Sequence, residues 1–374
     1  MVEWKKLGEV CEILDSQRKP VSKGKRVQGI FPYYGANGIQ DYVDKYIFDG
    51  TFLLLGEDGS VKNEDNTPVL HWATGKIWVN NHAHILKECD GYILRYIYYS
   101  LQCVDVSDIV RGVPPKISQA NMRNILIPIP SLSEQERIVS ILDTFTASID
   151  NIKAQIEQRR KQYEHYRNTL LTFNKDDDSV EWKTLGEIFE FKNGLNKEKE
   201  AFGHGTPIVN YTDVYKNRGL YKNTLKGLVS LNDNEIARYS VKRGDVFFTR
   251  TSETKEEVGY PSVMLDDIKQ CTFSGFVLKA HPLIDLLIPE YCKYCFFSHS
   301  FRQEVIKRAT LTTRALTNGK SLSKITIPIP TLARQQEIVS ILDTFEASIT
   351  NLEAQLEQRQ KQYEYYREKL LTFE

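Results

Sequence analysis

The chain has 374 residues, 49 basic against 49 acidic side chains, 41% hydrophobic and 26% charged residues. That size fits two to three domains with real cores, and no run nears the roughly 18 apolar residues of a membrane span. Zero net charge excludes a uniformly basic polyanion binder and leaves only one with a local basic groove. The opening Met1-Val2-Glu3-Trp4-Lys5 does not read as a secretory signal, and six cysteines at irregular spacing form no disulfide framework. A cytoplasmic location is expected.

In chain order, Tyr33-Tyr34-Gly35-Ala36-Asn37-Gly38 has turn chemistry. Short strands are predicted at 51–55, 68–72, 76–80 and 83–87, and a short helix at 92–101. Ser118 is placed to cap a helical turn that runs into Ile127-Pro128-Ile129-Pro130. A long helix follows, with Ser133 and Glu136 spaced as a capping box. Its apolar residues recur in alternating steps of four and three: Ile138, Leu142, Phe145, Ile149, Ile152, Ile156, Tyr163, Tyr166 and Leu170, with Arg159 in the remaining seam position. Such a seam over about five heptads predicts a coiled-coil helix roughly 50 Å long.

The acidic stretch Lys175-Asp176-Asp177-Asp178-Ser179 reads as a solvated junction. Beyond it Val180-Glu181-Trp182-Lys183 repeats Val2-Glu3-Trp4-Lys5. Strands are predicted at 207–211, 245–249 and 272–280, and a helix at 289–308. Ile327-Pro328-Ile329-Pro330 then opens a second copy of the long helix, with Ile338, Leu342, Phe345, Ile349, Leu352, Leu356, Arg359, Tyr363, Tyr366 and Leu370 on its seam. The chain is an internal duplication: two alike rods, two divergent heads. The predicted class is α+β, with two α/β heads joined by two long helices that pair as an intramolecular antiparallel coiled coil of pseudo-two-fold symmetry. The divisions expected are head 1–130, rod 131–174, head 175–330 and rod 331–374. Arg159 and Arg359 at the seam either fix register or reach past it to water.

The pattern Ile-Pro-Ile-Pro-x-Leu-x-x-Gln-x-x-Ile-Val-x-x-Leu-Asp at 127–143 and 327–343, with the order head, helix, head, helix, resembles the specificity (S) subunit of type I restriction–modification systems. The resemblance covers nearly the whole chain. It implies two target-recognition domains reading an asymmetric bipartite site on double-stranded DNA, and two methyltransferase subunits held by the coiled coil. Endonuclease and translocase subunits would join that complex. S-adenosylmethionine, ATP and Mg²⁺ would then belong to the partners, and this chain would carry no cofactor of its own.

No complete catalytic motif accompanies this pattern, so a non-enzymatic role is expected. Gly319-Lys320-Ser321 lacks the upstream glycine of a P-loop, where Arg314 stands. The lone Gly203-His204-Gly205 reads as a loop. Cys292, Cys295 and His299 lack a fourth zinc ligand, and the two cysteines read as buried thiols. His82 and His84 on a strand-like run read as structural or DNA-facing. Glu57, Asp58 and Asp65 resemble nuclease carboxylates in type alone.

Base and phosphate contacts need Arg, Lys, Asn and Gln on loops with small or aromatic neighbours. In the first head these are Arg18, Lys19, Tyr33, Tyr34, Asn37, Gln40, Arg111 and Lys116. In the second they are Lys192, Asn193, Asn210, Tyr211, Thr212, Arg250, Thr251, Ser252, Lys255, Arg314 and Lys320. The neutral charge also fits a rival reading, a coiled-coil scaffold whose heads bind proteins.

Overall fold

A computed structural model of the chain describes residues 2–373. Two compact units result: residues up to 154 together with those from 353 onward, and residues 155–352. Each long helix contributes to both units.

In the first unit the opening strand Glu3–Lys6 pairs antiparallel with Leu126–Ile129. Proline is tolerated there because a two-stranded ribbon leaves an edge that needs no N–H donor. The second unit repeats the ribbon with Val180–Thr184 and Thr326–Pro330. Each opening strand turns into a four-residue helix, Leu7–Val10 or Leu185–Ile188. The first N–H of each donates to Ile125 or Ile325, at 2.8 Å in both units. Glu9 and Glu187 fold back to accept the N–H of Lys6 (2.9 Å) and Thr184 (2.7 Å).

The sheets differ. The first unit has six strands in the order Cys11–Ile13, Ala83–Glu88, Phe48–Gly56, Leu70–Val79, Gln28–Gly35, Gly38–Val43. The second has five, ordered Phe189–Asn193, Val277–Pro282, Val246–Thr249, Pro261–Met264, Gly219–Leu220. Beside these lie a three-stranded sheet (Gly227–Val229, Phe202–Val209, Thr272–Phe273) and a small one (Thr251–Ser252, Ala315–Leu316, Thr310–Leu311).

Several boundaries differ from those predicted. The two strands expected at 68–72 and 76–80 are one, Leu70–Val79, because Phe48–Gly56 pairs with it from Leu70 to Ile77, and Gly50 and Gly75 face each other at the exposed stretch. The stretch 33–38, expected as a turn, is mostly strand: Tyr33, Tyr34 and Gly35 end the strand Gln28–Gly35, Gly38 opens Gly38–Val43, and only Ala36-Asn37 turns between them. The strand at 272–280 is broken at Ser274–Phe276, and the helix at 289–308 splits into Pro289–Cys295 and His299–Arg308, the second capped by Ser298.

The long helices run Leu132–Leu170 and Leu332–Leu371. Ser133 does not cap the first of them. The N–H groups of Glu134 and Gln135 both donate to the Ser131 carbonyl, so the helix starts directly after Pro130 and Ser131. In the second helix the Thr331 hydroxyl accepts from Arg334 N–H at 3.3 Å.

Within the first unit Phe145 stacks on Tyr366 (5.2 Å), while Ile138, Leu142, Leu370 and Leu371 share one core. Early residues of one helix thus meet late residues of the other, which is antiparallel packing. In the second unit Phe345 meets Tyr166 at 5.2 Å, and Leu170 and Leu171 join Ile338 and Leu342. Arg359 lies over the Phe145 ring at 5.6 Å and Arg159 over Phe345 at 5.7 Å, so both guanidiniums have a fixed aromatic seat. No described helix is long and apolar enough to cross a membrane. All six cysteines are free thiols.

Candidate nucleic-acid interface

Any reading surface depends on how its head is held to the helix. In each unit one glutamine does this, buried one turn into the long helix. Gln135 donates to the Pro130 carbonyl (3.0 Å) and accepts from Ile93 N–H (3.1 Å). Gln335 donates to Pro330 (2.9 Å) and Leu286 (2.8 Å) and accepts from Ile288 N–H (2.9 Å). Two helical turns on, Asp143 accepts from Tyr99 (2.5 Å) and Arg95 (2.8 Å), and Asp343 from Tyr294 and Lys293. Burial, and then the bonded aspartate, push both tyrosine phenols well above their ordinary range. These groups carried a visible signal, since Gln and Asp recur at the same repeat positions.

The first head is organised around a buried ion cluster. His84 lies 2.6 Å from Asp15 through Nδ1 and 2.9 Å from the Ile117 carbonyl through Nε2. Asp15 also accepts from Ile85 N–H (2.9 Å) and Gln119 (3.0 Å). Arg18 reaches Glu57 (2.5 Å) and the Ala83 carbonyl (2.8 Å), and Lys116 lies 3.1 Å from Glu57. Burial, the largest single influence, raises both carboxyls, but His84, the Ile85 N–H and Arg18 together at Asp15, and Arg18, His84 and Lys116 together at Glu57, outweigh it and hold each below the usual carboxylate range. Asp15, Glu57 and His84 are the one group among the described residues whose ligand atoms converge as a metal would require. Arg18 and Lys116 already supply the balancing positive charge there, so the cluster is a structural brace for the loops it joins.

Arg18 is therefore consumed by the fold. Tyr33 is buried, its hydroxyl accepting from Val21 N–H (2.9 Å) and its ring covered by Arg26 at 4.1 Å. Tyr34 is buried in the sheet core. Lys19 and Asn37 are exposed, and so is Gln40, whose side chain accepts from Asn80 (3.3 Å). Arg111 and Lys116 close an exposed hairpin, and Lys116 is brought to Arg18 through their shared Glu57.

In the second head Tyr211, Thr251, Ser252 and Arg314 come together, lining an open pocket of about 350 Å³ with Tyr215, Glu253, Glu257 and Phe276. The Tyr211 and Tyr215 rings stack at 5.8 Å. Glu257 accepts from Tyr215 (2.9 Å) and Ser252 (3.1 Å), and Arg314 pairs with Glu253 (3.0 Å). Aromatic faces, a guanidinium and carboxylates that accept from amino groups are the chemistry of base edges. Sequence reasoning missed Tyr215, Glu253, Glu257 and Phe276, which reach the pocket from separate segments. Elsewhere Arg250 donates to the Gly275 carbonyl (2.8 Å) and Lys192 to the Arg238 carbonyl (2.6 Å). Asn210 precedes the helix Tyr211–Lys216, on which Thr212 is exposed. Asn193 and Lys320 are exposed and Lys255 is half-buried, all outside the pocket lining.

Of the seam positions, Ile138, Leu142, Ile149, Ile156, Tyr163, Ile338 and Leu342 are buried. Phe145, Ile152, Leu170, Phe345, Ile349, Leu352, Leu356, Tyr363 and Leu370 are half-buried, while Tyr166 and Tyr366 keep an exposed edge. Gly319-Lys320-Ser321 forms a single helical turn capped by Asn318. Cys292 and Cys295 are buried in the core, and burial pushes both thiols up.

Comparison with known proteins adds to this geometry. Residues 1–159 and 178–361 match the family model described as the type I restriction modification DNA specificity domain. A putative type I restriction enzyme specificity subunit from Haemophilus influenzae is 33% identical over 386 residues, covering 100% of this chain and 96% of that protein. The EcoR124I/EcoR124II specificity subunit from Escherichia coli is 29% identical over 412 residues, covering 100% and 94%. The crystal structure of a type I S subunit from M. genitalium aligns with a TM-score of 0.63 at 14% identity, covering 100% and 97%, a likeness of fold.

Proposed function

The chain belongs to the type I restriction–modification DNA specificity family, and from that premise we propose that it reads an asymmetric bipartite duplex and positions catalytic partners on it. Each head reads one half-site, and the paired helices set the interval between them. Two methyltransferase subunits dock on the duplicated helical surfaces, and endonuclease and translocase subunits complete the cytoplasmic complex. The chain does no chemistry itself; S-adenosylmethionine, ATP and Mg²⁺ act in the partners, which take the target base out of the stack to modify it.

The observation that carries this reading is the contrast within each unit. The bonds from head to helix are duplicated down to Gln135 and Gln335, while sheet order and loop chemistry diverge. Like mounts with unlike readers suit a target whose halves differ.

The test is a methylome of cells co-expressing this chain with its methyltransferase subunit. A split motif with unlike halves, present only with this chain, supports the proposal. A stable complex that marks no motif would instead favour the protein scaffold.

A further inference from the structure

We propose that two equivalently placed hairpins, Arg111–Lys116 and Thr310–Leu316, are the base-reading tips of the two heads, and that Val113 in one and Arg314 in the other make the half-sites unlike. This rests on the reading of the chain as a DNA specificity subunit.

The equivalence is positional and structural. Arg111 and Leu311 each lie 16 residues ahead of the first isoleucine of an Ile-Pro motif. Each hairpin is followed at once by a capped turn: Ser118 accepts from Asn121 N–H (3.2 Å), Asn318 from Ser321 N–H (2.9 Å). The first is closed by a single antiparallel bridge and the second by a pair of short antiparallel strands. Arg111 and Lys116 exchange N–H···O bonds of 2.9 and 2.7 Å, and Thr310–Leu311 pairs with Ala315–Leu316.

Both hairpins stand on anchored bases. Pro115 accepts from Gly59 N–H (2.9 Å), and Lys116 is tied to the buried cluster through Glu57. In the second head Thr251–Ser252 adds a third strand, and Thr317 N–H donates to the Arg250 carbonyl at 3.0 Å. An anchored base with an exposed tip loses little conformational freedom on binding.

The tips differ in chemistry. Val113 is fully exposed, at 101% of its reference area, in the run Gly112-Val113-Pro114-Pro115. That run offers no polar side chain, and its prolines have no N–H, so it cannot hydrogen-bond a base edge through side chains. Its branched methyls suit the thymine C5-methyl in the major groove. Beside it Arg111, with no ion pair among the described residues, is left for phosphate. The second tip carries Thr312, Thr313 and Arg314, and the Arg314 side chain is 62% exposed with an exposed Glu253 as partner. Such a surface pair is held weakly. Arg314 can exchange it for the paired acceptors of guanine.

The full chain, assembled with its methyltransferase subunits, is given a duplex library with randomised positions, and the bound fraction is sequenced. Val113→Gly is expected to lower preference at one thymine position of one half-site by about fourfold per methyl lost. Arg314→Ala should lower preference at one guanine position of the other half by about tenfold. Each variant should leave the opposite half as selective as before, and Val113→Ala should fall between Gly and the unchanged chain. If the unchanged complex selects a split motif and both variants select it equally well, the hairpins are not the readers. Equal loss in both halves would overturn the proposal as well, since it marks a contact without base information. If the unchanged complex enriches no motif, the DNA reading itself fails.

Discussion

The joint and the head of each unit are built to different rules. At the joint, bond partners recur: Leu7 with Ile125 and Leu185 with Ile325, Gln135 with Ile93 and Gln335 with Ile288, Gln335 adding one bond to the Leu286 carbonyl. In the heads, the main sheet has six strands in one and five in the other, and an ion cluster around His84 braces one while aromatic rings and carboxylates line a pocket in the other. Buried polar groups tolerate no change of partner because each lost bond leaves an orphan. Exposed loops answer to ligand alone, and so are free to diverge.

The largest departure expected between the units comes from His84→Ala, which leaves the buried Asp15 carboxylate and the Ile117 carbonyl each one hydrogen bond short and should cost the first unit about 3–5 kcal/mol. Hydrogen exchange resolved by residue should show the loss in residues up to 154 and from 353, with 155–352 unchanged. Gln135→Ala strands a backbone donor and an acceptor and Gln335→Ala a donor and two acceptors, for about 2–3 kcal/mol in the first unit and slightly more in the second. A larger drop in melting midpoint for Gln135→Ala than for Gln335→Ala would break the equivalence of the joints, since Gln335 makes the one additional bond. Tyr99→Phe and Tyr294→Phe remove a hydroxyl bonded to an aspartate, for about 1–2 kcal/mol apiece by denaturant unfolding.

Acid sharpens the contrast again. Asp15 and Glu57 are held below their ordinary values of 3.8 and 4.5, so the folded state binds fewer protons than the unfolded one. Their contribution is complete above those values and is lost as the pH falls through the depressed native ones. A pH titration of first-unit exchange should therefore turn down below about pH 4.5, and His84→Ala should flatten that slope. At the small end, Lys161→Ala and Lys361→Ala remove exposed i,i+4 pairs with Glu157 and Glu357, and unfolding should not register either change.

The rods and the duplication were legible because a heptad seam is a long, redundant signal, carried by Ile138 and Leu142 through to Leu370. The joints were half legible: the repeated Gln and Asp were visible, but their bond to a helix some 40 residues upstream was not. Strands such as Gln28–Gly35 were hidden because their outward residues include Ile30, 80% exposed, so apolar and polar do not alternate. Arg18 fits the chemistry of a DNA contact equally well as a free side chain or as the partner of Glu57. Only the fold separates the two. The second head's pocket draws on segments near residues 211, 252, 276 and 314, and no local pattern links them.

The composition of the first unit sets an order on synthesis. Its core includes Leu371, with Tyr363, Leu370 and Phe373 packed against it, more than 200 residues after Ala154. At ribosomal speed roughly ten to forty seconds separate the emergence of these pieces. Through that interval the apolar faces of Ile138 and Leu142 are made but not closed over. The nascent first unit is thus a client for whatever shields sticky surfaces at the exit tunnel, and a message broken before codon 371 yields a protein whose first unit, translated in full up to residue 154, still lacks its final stave.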